Sequence, residues 1–119
     1  MRWERKGSSR EVFLIGRWAI KVPRVHSWET FLWGLLSNLQ EAEFGRCGWP
    51  ELCPVVWRIR GGFMVVMPRV QILTEAEFDE GEIGGIVDAA NAAGRCVPAE
   101  FKPDSWGRLD GRIVAVDYG

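Results

Sequence analysis

The run from Arg10 to Val22, which reads REVFLIGRWAIKV, decides the fold of this chain. Two short apolar segments flank Gly16-Arg17, and this pattern predicts two antiparallel strands joined by a tight turn. Pro23 follows the second segment and has no backbone N–H to donate, so we expect the strand to end there. The pattern therefore predicts an antiparallel sheet early in the chain.

A long helix is predicted after this hairpin, from Trp28 to Phe44. Ser27 is the expected N-cap, and Gly45 is expected to stop the helix. Apolar residues recur between these limits at helical spacing. They are Phe31, Leu32, Leu35, Leu36, Leu39 and Ala42.

A second hairpin is predicted farther along the chain. The runs Val55–Ile59 and Phe63–Met67 are rich in β-forming residues, and Gly61-Gly62 between them is a typical hairpin turn. The sheet is therefore expected to gain two more strands after the long helix.

Two shorter helices are predicted in the second half of the chain. The first would start over Thr74 to Phe78 with Thr74 as its cap, because Thr74 and Glu77 have the spacing of a capping box. The second would span Ile83 to Ala93 and end at Gly94.

The end of the chain predicts a further strand or hairpin. Asp110-Gly111 is a turn signal, and the apolar run Arg112–Val116 follows it, before Asp117-Tyr118-Gly119. Strands and helices are thus segregated along the sequence, which indicates an α+β fold. A length of 119 residues fits one domain.

Composition excludes several classes of partner. The net charge of -1 gives no overall field that would attract nucleic acid or an anionic membrane, so we expect neither as a partner. A charged N-terminus and the lack of a long apolar run argue against a secretion signal or a membrane span. Three cysteines, an odd count, fit the reducing cytoplasm, and a single histidine argues against zinc.

Four segments occur in an order that resembles protein kinases. They are Gly7-Ser8-Ser9-Arg10-Glu11-Val12, Ala19-Ile20-Lys21-Val22, Val65-Val66-Met67-Pro68, and Phe101-Lys102-Pro103-Asp104-Ser105 with the later Asp117-Tyr118-Gly119. They are similar, in turn, to the glycine-rich loop, the third strand with its phosphate lysine, the strand into the hinge, and the catalytic loop before the metal-binding Asp-Phe-Gly. The compact form resembles small kinase-like proteins of bacteria and phages, near the lipopolysaccharide-kinase type.

This resemblance implies a single kinase-like domain over residues 1–119. Residues 1–70 would form an N-lobe of an antiparallel sheet plus one long helix. Residues 71–119 would form a much reduced C-terminal part, with small helices, a segment like the catalytic loop and a terminal strand.

The resemblance also implies ATP and Mg²⁺ as cofactors, bound by residues with separate roles. Lys21 would contact the phosphates and take part in catalysis, held by Glu41 or, as second choice, Glu43. Asp117 would bind the metal ion. The remaining nucleotide-binding positions are Gly7, Ser8 and Ser9 of the loop and Met67 near the hinge.

Several positions depart from the kinase pattern. Glu100 stands where the catalytic aspartate is expected, and its reach is longer by one methylene. Ser105 replaces the metal-binding asparagine, with Asp104 beside it as an alternative ligand. The loop has one glycine where three are usual, which restricts backbone approach to phosphates. The sequence stops at Gly119, before the segment that docks a protein substrate.

Three functions follow from these features as hypotheses. The first is a phage-encoded, pseudokinase-type interaction module with weak or no nucleotide binding that binds or inhibits a host protein. The second is a minimal Mg-ATP phosphotransferase for a small molecule or sugar, using Lys21, Asp117 and Glu100. The third is an unrelated α+β interaction domain. For the cofactor, two alternatives stay open: ATP with Mg²⁺, or none. An uncovered sheet edge or apolar face would allow a homodimer.

Overall fold

A computed structural model describes residues 2–6, 9–25 and 27–118, with the backbone alone for residues 2–6. The fold is α+β, as the sequence predicts, with two antiparallel sheets and two α-helices in these ranges. The first sheet has the strand order β1-β2-β3-β5-β4. Its strands are β1 (Arg2–Lys6), β2 (Arg10–Ile15), β3 (Trp18–Pro23), β4 (Trp57–Ile59) and β5 (Met64–Pro68).

The strand β1 is missing from the sequence prediction. Four of its five residues are charged, which hides the alternation that marks a half-buried strand. It occupies the edge of the sheet. The predicted hairpin of β2 and β3 is confirmed, with Val12 opposite Lys21 and Leu14 opposite Ala19.

The long helix α1 (Trp28–Gly45) is confirmed within one residue of its predicted end. The Ser27 hydroxyl accepts a hydrogen bond from the Thr30 backbone N–H at 3.2 Å. A glycine allows the helix to lie close to the sheet, since a Cβ added at Gly34 would come within 2.5 Å of the Ser9 carbonyl oxygen. The buried face of α1 includes two polar residues, Asn38 and Glu41.

The second hairpin is also confirmed, with a 3-10 turn at Arg60–Gly62 between β4 and β5. Gly62 has a φ of 82°, which favours glycine, and a Cβ there would meet the Leu35 carbonyl oxygen at 2.3 Å. This turn therefore packs its backbone directly against α1.

The predicted helix at Thr74–Phe78 is wrong, although its capping contacts form. The Thr74 N–H donates to the Glu77 carboxylate at 3.0 Å, and the Glu77 N–H donates to the Thr74 hydroxyl at 3.2 Å. The segment makes only a turn, because Asp79 caps a separate helix through the N–H groups of Gly81 and Glu82. That helix, α2 (Glu80–Ala92), begins three residues before the predicted start at Ile83.

A second sheet of order β6-β7-β8 lies in the C-terminal part. Its strands are β6 (Gln71–Ile72), β7 (Trp106–Leu109) and β8 (Arg112–Ala115). The predicted turn at Asp110-Gly111 joins β7 to β8, so the end of the chain is a hairpin. One further bridge pairs Leu52 with Ala115 and connects the segment after α1 to this sheet.

The apolar core lies between the second sheet, α2 and the segment around Leu52. Trp106, Ile83 and Val114 are fully buried in it. The polar groups of two aromatic side chains form hydrogen bonds inside this core. The Trp106 indole N–H donates to the Glu100 carbonyl at 2.9 Å, and the Tyr118 hydroxyl donates to the Cys53 carbonyl at 2.6 Å. These contacts fix the chain just after β8, where Asp117 lies.

Within the described ranges, neither α-helix is long and apolar enough to cross a membrane.

Candidate functional site: a cleft with a buried charged cluster

A cleft of about 570 Å³ opens between the β2–β3 hairpin and the segment Met67–Ile72, with Val116 and Asp117 completing its lining. Side chains alternate between the two faces of a strand, so Arg10, Val12 and Leu14 of β2 all face this cleft. The cleft is therefore apolar in the middle of β2 and charged at the start of that strand.

Lys21 forms an ion pair with Glu41 at the charged end of the cleft. The Lys21 ammonium group donates to Glu41 Oε1 at 2.9 Å and to Oε2 at 3.0 Å, and it also donates to the Val116 carbonyl. Glu41 is fully buried, whereas Glu43 is exposed and contacts Arg46 at 3.4 Å. The structure thus brings Lys21 to Glu41 and leaves the second choice, Glu43, on the surface.

Arg10 is a residue of this site that the sequence analysis missed. Its Nη2 atom donates to Glu41 Oε2 at 2.9 Å and to Asp117 Oδ1 at 2.6 Å, and its Nη1 atom donates to Asn38 Oδ1 at 3.2 Å. A signal was present, since Arg10 stands two residues before Val12, where the kinase loop pattern G-x-G-x-x-G-x-V has its last glycine. An arginine there, at an inward position of β2, points into the cleft.

Asn38 is a second missed residue, and it supports the cluster from α1. Its amide group donates to the Lys21 carbonyl at 3.1 Å and to the Gly62 carbonyl at 2.9 Å. Asn38 therefore connects β3 and the β4–β5 turn to Arg10. The Tyr118 backbone N–H adds a third kind of donor to Glu41, at 3.1 Å from Oε2.

The protonation states in this cluster depend on burial and on the neighbouring charges. Burial alone would raise the pKa of Glu41, but Lys21 and Arg10 together lower that pKa to about 2. Burial lowers the pKa of Lys21, an effect that Glu41 partly offsets. Burial also acts to lower the pKa of Arg10, but Glu41 and Asp117 outweigh it and raise that pKa. With Asp117, the cluster contains two cations and two carboxylates, and we name these four residues the charged cluster.

The predicted catalytic residue Glu100 lies in an exposed loop. Its side chain is 76% exposed and contacts the Lys102 ammonium group at 3.3 Å, while Asp104 lies 3.8 Å from the same nitrogen. The hydrogen bond from Lys102 to Glu100 raises the pKa of Lys102, and Asp104 and Asp117 add to this effect. Glu100 is absent from the described residues that line the cleft.

The predicted metal ligands Asp117, Ser105 and Asp104 have different surroundings. Ser105 is buried and its hydroxyl has no hydrogen-bond partner among the described residues, whereas the Asp104 side chain is mostly exposed. Asp117 Oδ1 accepts the bond from Arg10, and a guanidinium group repels a metal ion placed beside it. In the part of the chain that the structure describes, no group of three or more His, Cys, Asp or Glu residues could hold a metal ion. Because the Arg10 guanidinium contacts the Asp117 carboxylate, the residues present do not fit an Mg²⁺ site.

The remaining predicted nucleotide-binding positions are separated. Met67 lines the cleft from β5, opposite Ala19. Ser9 instead lines a shallow depression beside α1 with Trp33, and its carbonyl accepts a bond from the Arg24 N–H at 2.8 Å. Gly7 and Ser8 lie outside the described residues.

Comparisons with protein-family models, with curated proteins and with solved structures return no match to this chain.

Proposed function

We propose that this chain is a kinase-like domain that does not transfer phosphate and that works by binding another protein. Two features support the kinase-like part of the proposal. The helix α1 lies in sequence between the third and fourth strands of a five-stranded antiparallel sheet. Lys21 on the third strand pairs with Glu41 of that helix, and active protein kinases require a pairing of this kind.

Arg10 is the observation that carries the proposed lack of phosphoryl transfer. Kinases need a metal ion on the aspartate that follows the catalytic loop, to neutralise charge on the transferred group. Here the Arg10 guanidinium contacts Asp117 and Glu41 at once, at 2.6 and 2.9 Å. A fixed cation therefore takes the position in which a metal ion would serve that chemistry.

The position of Glu100 supports the same conclusion. A general base must come within about 3 Å of the proton that it removes, directly or through one water. Glu100 pairs with Lys102 in solvent, outside the lining of the cleft. The loop thus holds this carboxylate as a surface charge.

Exposed apolar side chains support the protein-binding part of the proposal. Trp28 and Trp33 on α1 are 78% and 60% exposed. Tryptophan is enriched at the energetic centres of protein interfaces. Three further apolar side chains of α1 add to this surface: Leu32, Leu36 and Leu39. We propose that this face of α1 binds the partner, a host protein if the chain is phage-encoded.

Phosphoryl transfer is tested by incubating the chain with Mg²⁺ and γ-labelled ATP, with the chain itself, sugars and a general protein substrate as acceptors. We expect no labelled product and no ADP above the heat-denatured control. Turnover that Lys21→Ala abolishes would overturn the proposal and support the minimal phosphotransferase for a small molecule or sugar instead.

Partner binding is tested by photo-crosslinking from α1 in a bacterial lysate, followed by identification of the captured protein and titration of its purified form. We expect Trp33→Ser to weaken that purified complex by tenfold or more, as for an interface hot spot. Asp88→Ser, at an exposed position of α2, is the control and should leave affinity unchanged. Equal affinity for the wild type and Trp33→Ser would exclude this face. Sedimentation velocity on the chain alone shows whether a second copy is the partner.

A further inference from the structure

We propose that the cleft binds an amphipathic carboxylic acid, with its carboxylate at Arg17 and Arg69 and its apolar body along the strands β2 and β3. The inference goes beyond the proposed function, which assigns no small ligand to this chain. It follows from the way in which charge is distributed along the cleft, because the two ends of the cleft differ in their balance of cations and carboxylates.

The inner end of the cleft is electrically balanced. Arg10 and Lys21 supply two cations, and Glu41 and Asp117 supply two carboxylates at 2.6 to 3.0 Å from them. A buried ion that loses its partner is strongly destabilising. An anionic ligand at this end would have to displace Glu41 or Asp117 from Arg10. We therefore expect the anionic group of a ligand to lie elsewhere in the cleft.

The outer end, at the turn between β2 and β3, carries two cations. Arg17 and Arg69 are both exposed, and the Arg69 backbone N–H donates to the Arg17 carbonyl at 2.7 Å, which holds the two residues side by side. The Arg17 guanidinium lies 4.9 Å from the centre of the Trp18 ring, and Arg69 Nη1 reaches the Gly16 carbonyl at 3.5 Å. Both of these partners are neutral.

No acid balances this outer end within the described lining of the cleft. Asp117 is the one acid among the lining residues that the structure describes, and it contacts Arg10 at the inner end. An excess of one sign of charge at the mouth of a cleft attracts the opposite ion. Guanidinium groups also match the two oxygens of a carboxylate with a planar fork of donors. The outer end therefore suits a carboxylate.

The wall between the two ends is apolar. Val12 and Leu14 line it from β2, and Ala19 lines it from β3, opposite Met67 of β5. A strand rises about 3.3 Å per residue, so the distance from Arg10 to Leu14 is about 13 Å. The volume of about 570 Å³ fits small-molecule sites, which have mainly apolar walls and roughly 300–1,000 Å³. An alkyl chain or a ring system would be removed from water there.

The first experiment is calorimetric titration with butyrate, hexanoate, octanoate and decanoate, below their micelle-forming concentrations, and with a naphthalene carboxylate. We expect affinity to rise about tenfold or more for each two methylenes, because a buried methylene contributes about 0.8 kcal/mol. Tighter binding of decanoate would assign a fatty acid as the ligand, and tighter binding of the naphthalene carboxylate would assign an aromatic acid. Either result supports the proposal.

A double variant tests the carboxylate contact. Arg17→Gln combined with Arg69→Gln should weaken octanoate binding by about tenfold and leave the binding of octanol, its neutral analogue, unchanged. Arg46→Gln combined with Arg60→Gln removes the same charge from exposed positions outside the cleft lining, and it should bind octanoate as the wild type does. Circular dichroism and urea unfolding of each variant provide the folding control.

Two methionines of β5 locate the ligand. Met67 lines the cleft, whereas Met64 lies three residues earlier and therefore on the other face of the sheet. With the methionine methyl groups labelled with carbon-13, decanoate should shift the Met67 signal and leave the Met64 signal in place.

Four outcomes would overturn the inference. Affinity that does not depend on chain length would exclude the apolar contact. Equal affinity of octanoate for the wild type and for the Arg17 and Arg69 double variant would exclude the carboxylate contact. A shift of the Met64 signal without one of Met67 would place the ligand outside the cleft, and ADP that binds more tightly than every carboxylate would contradict the ligand class. None of these outcomes bears on phosphoryl transfer or on α1, so the proposed function is tested separately.

Discussion

The charged cluster and the exposed loop at Glu100–Asp104 both contain ion pairs between basic and acidic side chains, but the cluster is buried and the loop is in solvent. In the cluster, Lys21 and Arg10 converge on the fully buried Glu41. In the loop, Lys102 contacts Glu100 and Asp104 at 3.3 and 3.8 Å with all three side chains largely in solvent. Buried ions depend on their partners because water cannot replace them, whereas exposed pairs contribute little. We therefore expect the two regions to respond very differently to the loss of one charge.

The largest effect is expected from Glu41→Ala. It leaves Lys21 and Arg10 buried without their shared carboxylate, and breaking a buried ion pair in this way costs about 3–5 kcal/mol of unfolding free energy. Urea unfolding measures the change. Glu43→Ala, two residues along the same helix and exposed, is the matched control and should shift stability by no more than about 0.5 kcal/mol. Equal losses in the two variants would contradict the comparison.

A smaller loss is expected from Asn38→Ala. This change removes the donor to the Lys21 and Gly62 carbonyls and an acceptor of Arg10, all in buried surroundings. An unsatisfied buried group costs about 1–3 kcal/mol, and the lost stability should appear in urea unfolding. Asn91→Ala, at an exposed position of α2, should be nearly neutral. A neutral Asn38→Ala would show that the cluster does not need its support from α1.

Acid should weaken the fold through the cluster. The pKa of Glu41 is about 2 in the folded chain and 4.5 when unperturbed. A depressed pKa gives stability that is complete above about pH 4.5 and is lost as the pH falls towards 2. Urea unfolding across this range should show that decline, and Glu43→Gln should reproduce it. Constant stability between pH 4.5 and 2 would argue against a charged, doubly paired Glu41.

The smallest effect is expected from Glu100→Gln. It removes one exposed contact with Lys102, and such surface pairs contribute about 0–1 kcal/mol. Urea unfolding should therefore show little change, and high salt should remove what remains. A loss as large as that of Glu41→Ala would mean that this exposed pair stabilises the fold as strongly as the buried ion pair does.

Much of the first sheet was predictable because its signals are local. The turn at Gly16-Arg17, the cap at Ser27 and the turn at Gly61-Gly62 each specify backbone geometry within a few residues. Lys21 and Glu41 were also paired correctly in the prediction. Only one of the two glutamates near the end of α1 lies on the face that packs against β3.

The features of the fold and the site that the sequence did not predict depend on contacts between residues far apart in the chain. Arg10 meets Asp117 across 107 positions, so neither residue's local pattern reveals the contact. The capping pair of Thr74 and Glu77 is a true local signal, yet its helix does not extend because Asp79 begins another. Ser105 was assigned as a metal ligand from its place in a motif, and its burial depends on packing that the motif does not encode.

A double-mutant cycle between Arg10→Gln and Asp117→Asn tests the central claim most directly. We predict a coupling of about 1–3 kcal/mol in unfolding free energy, because the two groups share a short hydrogen bond at the edge of a buried cluster. The same cycle on Glu100 and Lys102 should give a coupling close to zero. If Arg10 and Asp117 proved uncoupled, Arg10 would not hold the place of a metal ion, and the account of this cleft would be contradicted.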